Sequence, residues 1–130
     1  MSRMKQGREA TAYWIKHWNS LLMAERNANW MVENMNSSVN SEARQAIEYA
    51  AGIKKRVAKS TSLLGTSGEF VRLRYIRGMT AEEIAECTHY ALSNVKRQTI
   101  AGISSIAFMD RMNGNRLTKQ DTVLQELAEC

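Results

Sequence analysis

Polar side chains that could do chemistry crowd into "LSNVKR", residues 92–97. Ser93 offers a hydroxyl, Asn94 a donor–acceptor amide, Lys96 a mobile ammonium and Arg97 a fixed fork of donors. Carried on the first turns of one helix, such a set can hydrogen-bond the edges of flat polar ligands or grip oxyanions. Leu92 adds an apolar contact, and Arg72, Arg74 and Arg77 stand upstream as further cations. An ordinary solvated helix face also fits Lys96 and Arg97. Other chemistries find little support. His17 and His89 lie far apart without carboxylates at ligand spacing, and Cys87 and Cys130 form no CxxC pair. No glycine-rich phosphate loop, catalytic carboxylate pair or activated nucleophile emerges. The expectation is a chain that is no enzyme, carries no metal or cofactor, and keeps its thiols reduced.

The overall charge suits an acidic partner such as nucleic acid. The 130 residues hold 18 basic and 13 acidic side chains, a formal net charge of +5. Most of the surplus lies before residue 67, so an acidic partner gripped only by 92–97 would feel a weak electrostatic attraction. There is no proline, and eight methionines accompany many alanines, a composition that favours helices. The start, "MSRMKQGREATAYW", has no apolar leader segment and no run reaches membrane-spanning length, so a cytoplasmic chain is expected.

The pattern predicts an all-α fold. A first helix over 8–35 carries Trp14, Trp18, Leu21, Glu25, Ala28, Val32 and Met35 in alternating four- and three-residue steps. Ile15, Leu22 and Met31 widen that stripe, which suits an internal core or a coiled-coil seam with a second copy. "NSSVNS" marks a break, with Ser41 as cap of a second helix to residue 59 using Ala46, Ala50, Ile53 and Val57. Its terminal "KKRVAK" suits the negative end of the helix dipole or a phosphate. These two form a long N-terminal helical hairpin over 1–60 for packing or oligomerisation. Residues 61–68 read as a linker, 69–110 as a separate helical unit, and 111–130 as a tail with a short helix from Thr118 bearing Val123, Leu124 and Leu127. Within the unit, Ser67 caps a helix burying Phe70, Leu73 and Ile76, and Gly78 stops it in the left-handed conformation. Thr80 and Glu83 form a capping box. The next helix runs to Thr88, turning Ile84, Ala85 and Cys87 inward. A corner at His89–Tyr90 leads to a helix beginning near Ala91, with Val95, Thr99, Gly102, Ile103 and Ile106 as its seam.

A small residue at the helix crossing (Ala85), a turn four residues on and a buried branched residue (Val95) six further are features of helix-turn-helix units. Indeed "LRYIRGMTAEEIAECTHYALSNVKR" resembles region 4 of sigma-70-type factors, with Leu73, Arg74, Tyr75, Gly78, Thr80, Glu83, Ile84, Ala85, Val95 and Lys96 in register. The likeness spans 70–107. Nothing resembles sigma region 2, so the whole chain is more similar to small phage or prophage late-gene regulators of the autolysin-regulatory (ArpU-like) type. Three positions depart from the pattern: His89 replaces the turn glycine, Ala91 the capping serine, and Thr88 a large apolar residue.

The resemblance implies double-stranded DNA as partner, with the second helix in the major groove. Leu92, Ser93, Asn94, Lys96 and Arg97 would then face outward. Asn94 would read adenine, Arg97 guanine or a phosphate, Lys96 a phosphate and Leu92 a thymine methyl. Arg72 and Arg77 would flank the backbone, while Arg74 either joins them or pairs internally with Glu83. The implied function is transcription regulation at promoters, with the N-terminal helices packing, dimerising or contacting RNA polymerase. Two rivals share the pattern: a phage DNA-packaging subunit of the small-terminase kind, and an interaction module that binds polymerase without touching DNA.

Overall fold

Small apolar residues set the spacing of the longest helix. Ala43, Ala46, Ala50, Ile53 and Val57 recur at helical intervals and are all buried, so neighbouring helices can approach closely. The structure is a computed structural model that describes residues 8–130, without the side chains of residues 37–39. Among the described residues all regular elements are helices, and one isolated antiparallel bridge joins Glu9 and Arg116. The helices are α1 (Ala10–Lys16), α2 (Trp18–Asn34), α3 (Ser37–Leu63), α4 (Thr66–Val71), α5 (Ala81–Thr88), α6 (Leu92–Asn113) and α7 (Lys119–Ala128). A π-helical turn, Arg72–Ile76, extends α4.

The first predicted helix is divided at His17, whose φ of −118° and ψ of 40° interrupt α-helical geometry. Tertiary contacts account for the division. Before it, α1 packs on α6 and α3; after it, α2 packs against α3 and α7. The start of α1 and the residues before it are held as well, by Ala10 N–H donating to Asn115 O at 3.0 Å and Leu117 N–H to Arg8 O at 3.0 Å. Trp14, Ile15, Leu21 and Ala28 from the predicted stripe are fully buried, whereas Met35 and Leu22 are exposed. Glu25, the polar break in the stripe, meets Lys54 of α3 at 2.9 Å.

Helix α3 starts four residues before the predicted Ser41 cap and ends four after residue 59, so the hydroxyl-rich segment is helical where a linker was expected. Thr61 donates its hydroxyl to Val57 O at 2.9 Å, satisfying itself within the helix. Gly68 explains why this segment is packed. A Cβ at that position would lie 1.8 Å from the carbonyl oxygen of Thr61, so only glycine lets α4 cross α3 here. Ser67, the expected cap, instead donates its hydroxyl to Gln98 of α6.

The larger core cluster draws on α1, α2, α3, α4, α6 and α7, including Trp14, Leu21, Ile53, Val71, Ile106 and Leu124. Two aspartates buried inside it have no counterpart in the sequence reading. Asp110 accepts from the Ala12 N–H at 3.0 Å. Asp121 accepts from the Trp14 indole at 2.8 Å, from the Tyr49 hydroxyl at 2.7 Å and from the Thr118 N–H at 2.7 Å. Burial, reinforced by Asp121, raises the pKa of Tyr49 above its ordinary value of 10.0. The folded state therefore holds this proton more tightly than the unfolded chain does. The resulting stability is complete below pH 10 and is lost as pH rises through the folded pKa. Stability of the wild type should accordingly fall more steeply above pH 10 than that of Tyr49→Phe, measured by urea unfolding across that range. Parallel curves would refute the assignment.

Candidate nucleic-acid interface

Two left-handed residues and one capping box shape the region around 92–97. Gly78, at φ 75°, ends the π-helical turn, and Met79 N–H closes back onto Leu73 O at 3.0 Å. Thr80 then caps α5: its hydroxyl accepts from Glu83 N–H at 3.1 Å, and the Glu83 carboxylate accepts from Thr80 N–H at 2.9 Å. Helix α5 ends at Thr88, as its spacing predicts. His89 takes φ 64° and donates its N–H to Ala85 O at 2.9 Å. Ala91 opens α6 without a side-chain cap. Beneath the corner, Phe70, Ile84 and Val95 form a second buried cluster. Tyr90 stands edge-on to Phe70 with ring centroids 5.2 Å apart, which fixes the corner's rotation.

His89 is the only non-glycine residue at positive φ among the described residues, and its ring makes no side-chain hydrogen bond there. Replacement by glycine removes the Cβ strain and sacrifices no side-chain hydrogen bond. His89→Gly should stabilise the fold by about 0.5–1 kcal/mol in urea unfolding; a loss of stability would mean the imidazole is a structural partner.

The side chains singled out from the sequence occupy the surface. Leu92, Ser93, Lys96 and Arg97 are exposed, and Asn94 is half-buried beside them. Arg97 donates to the Asn94 amide oxygen. The Asn94 oxygen keeps a second lone pair and its amide nitrogen is not used in that bond, so both amide atoms stay able to meet an adenine edge. Arg72 and Arg77 are exposed too, Arg72 lying 3.8 Å from Glu69. Arg74 does not pair with Glu83, whose carboxylate is used in the cap; it donates to Met79 O at 3.3 Å and lies over the Tyr75 ring. A cleft of about 420 Å³ joins Arg74, Tyr75, Thr80, Glu82, Lys96 and Ile100. Arg72 and Arg77 do not line it.

Two further features complete the surface. Cys87 is exposed, against the inward placement expected for it. The inward side of α5 is set by Ile84, Ala81, Ala85 and Thr88, and Cys87 projects well away from their common direction. On α6, Ile100, Phe108 and Met112 are 68%, 55% and 69% exposed. Their positions relative to the Val95–Thr99–Gly102–Ile106 seam carry the signal that would have found them. Among the described residues, no three His, Cys, Asp or Glu side chains come together as a metal-holding group, and no helix is long and apolar enough to cross a membrane.

Comparison with protein-family models, with curated proteins and with solved structures finds no match for this chain.

Proposed function

We propose that the chain is a sequence-specific DNA-binding transcription regulator, with α5, the His89 corner and α6 acting as a helix-turn-helix. One observation carries this reading. The first turns of α6 hold Ser93, Asn94, Lys96 and Arg97 outward while Val95 is anchored in the cluster beneath them. A capped helix, a left-handed corner and an outward polar turn suit insertion into a major groove. Asn94 would read a base edge, Arg97 a guanine or a phosphate, Lys96 would meet a phosphate, and Arg72 and Arg77 would meet the backbone to either side. The resemblance to sigma region 4 extends this to promoter DNA and to a phage or prophage regulator acting in a host cytoplasm. Glu82, Glu83 and Glu86 on α5 oppose phosphate contact by that helix, so α6 and the preceding arginines carry the electrostatics. Selection of bound duplexes from a random pool tests the reading. Enrichment of one motif, lost with Asn94→Ala and Arg97→Ala, is expected; recovery of unrelated duplexes would sink it.

A second reading is favoured by Ile100, Phe108 and Met112, because exposed apolar residues on one helix suit a protein surface. Under it, α6 would contact RNA polymerase or another regulator, and no duplex would be retained at low salt.

A further inference from the structure

The outward face of α2 exposes Leu22, Met23 and Trp30, the last by 57%. It lies opposite the buried side formed by Leu21, Ala24 and Ala28. Arg26 and Glu33 share this outward face; both are exposed, and neither makes an ion pair among the described residues. The stripe of Trp14, Leu21 and Ala28 that suited a coiled-coil seam is spent inside the chain. Any self-association through this helix must therefore use its other side.

We infer that this outward face is a homodimer seam, in which α2 packs antiparallel against α2 of a second copy about a two-fold axis. Charge selects the occupant. In an antiparallel pair, facing positions have residue numbers of constant sum. The register that sets Arg26 against Glu33 of the partner subunit also sets Glu33 against Arg26 of the partner subunit, so symmetry makes two ion pairs from one match. The axis then passes between Asn29 and Trp30 and brings the two exposed indoles together at the centre. With α2 ending at Asn34, the paired stretch is residues 25–34 of each copy, and Met23 and Leu22 lie just outside it. A large aromatic group at the middle with charges at the rim is the arrangement that stabilises small interfaces. A parallel pair would face each charge with its own sign, which opposes association. The match is a property of the face against itself, and it does not depend on the DNA reading.

Sedimentation equilibrium on the full chain tests the seam. The wild type should dimerise reversibly. Arg26→Glu and Glu33→Arg should each raise the dissociation constant roughly tenfold or more, since each variant turns two attractions into two repulsions. The double variant Arg26→Glu/Glu33→Arg restores opposite charges across the axis and should return to within about threefold of wild type. Trp30→Ala should also weaken the dimer, and circular dichroism should show unchanged helix content because all three positions are exposed. A monomeric wild type, single reversals without effect, or a double variant as weak as the singles would overturn the inference. Capture of some other protein on this face by a monomeric wild type would overturn it equally.

Discussion

Asp121→Ala is expected to cost about 3–5 kcal/mol, a large part of the total stability of a domain of this size. The carboxylate accepts from the Trp14 indole, the Tyr49 hydroxyl and the Thr118 N–H, all between 2.7 and 2.8 Å. It therefore ties α7 to α1 and α3 while closing the capping box that starts α7. Alanine leaves the indole N–H of a tryptophan with no exposed surface without an acceptor, a penalty of roughly 1–3 kcal/mol alone. Losing the helix cap adds about 1 kcal/mol. Asp121→Asn keeps one acceptor oxygen and should cost distinctly less. Chemical denaturation gives the magnitudes, and a double-mutant cycle identifies the source. In a Trp14→Phe background the donor is already gone, so Asp121→Ala should be milder by about 0.5–3 kcal/mol. An Asp121→Ala midpoint close to wild type would mean that this network contributes nothing to holding α7.

How legible was this network beforehand? The local devices were readable because they act over a few residues. The Thr80–Glu83 box, the left-handed Gly78, the corner at His89 and the start of α7 at Thr118 all follow from short-range spacing. So does the buried ladder of Ala46, Ala50, Ile53 and Val57. The positive φ of His89 was implied only by the resemblance, which places a glycine there. What escaped depends on partners far away in the chain. Asp110 meets Ala12 across 98 residues and Asp121 meets Trp14 across 107, and no periodicity announces such pairs. The division at His17 arises because α1 and α2 pack on different helices. The extension of α3 through Thr61 arises because α4 needs a close crossing at Gly68, which outweighs the weak helix preference of serine and threonine. In the candidate interface, residue types and exposure were readable, but the Arg97–Asn94 bond and the use of Glu83 in a cap were not. Both depend on which of several reachable partners a flexible side chain selects.

Duplex affinity, if the DNA reading holds, should fall steeply with salt. Four cations are placed to meet phosphates: Arg72, Arg77, Lys96 and Arg97, all exposed. With about four phosphates neutralised, the slope of log affinity against log salt is about −3.6, so raising salt from ~50 to ~200 mM weakens binding roughly a hundredfold. Lys96→Ala should make the slope shallower by about 1 and weaken all sequences alike. Arg97→Ala separates two roles. If Arg97 reads a guanine, it should cost about 1–3 kcal/mol on the selected site and little on random duplex; if it grips a phosphate, both losses should be equal. A near-neutral unit over 67–111 makes these few contacts decisive, because no broad positive field is there to mask the loss of one. Should the chain dimerise through α2 and both units engage one duplex, the slope should approximately double above the dimerisation concentration. A flat salt dependence at every protein concentration would remove DNA as the partner of α6 and leave its apolar face, Ile100, Phe108 and Met112, to a protein.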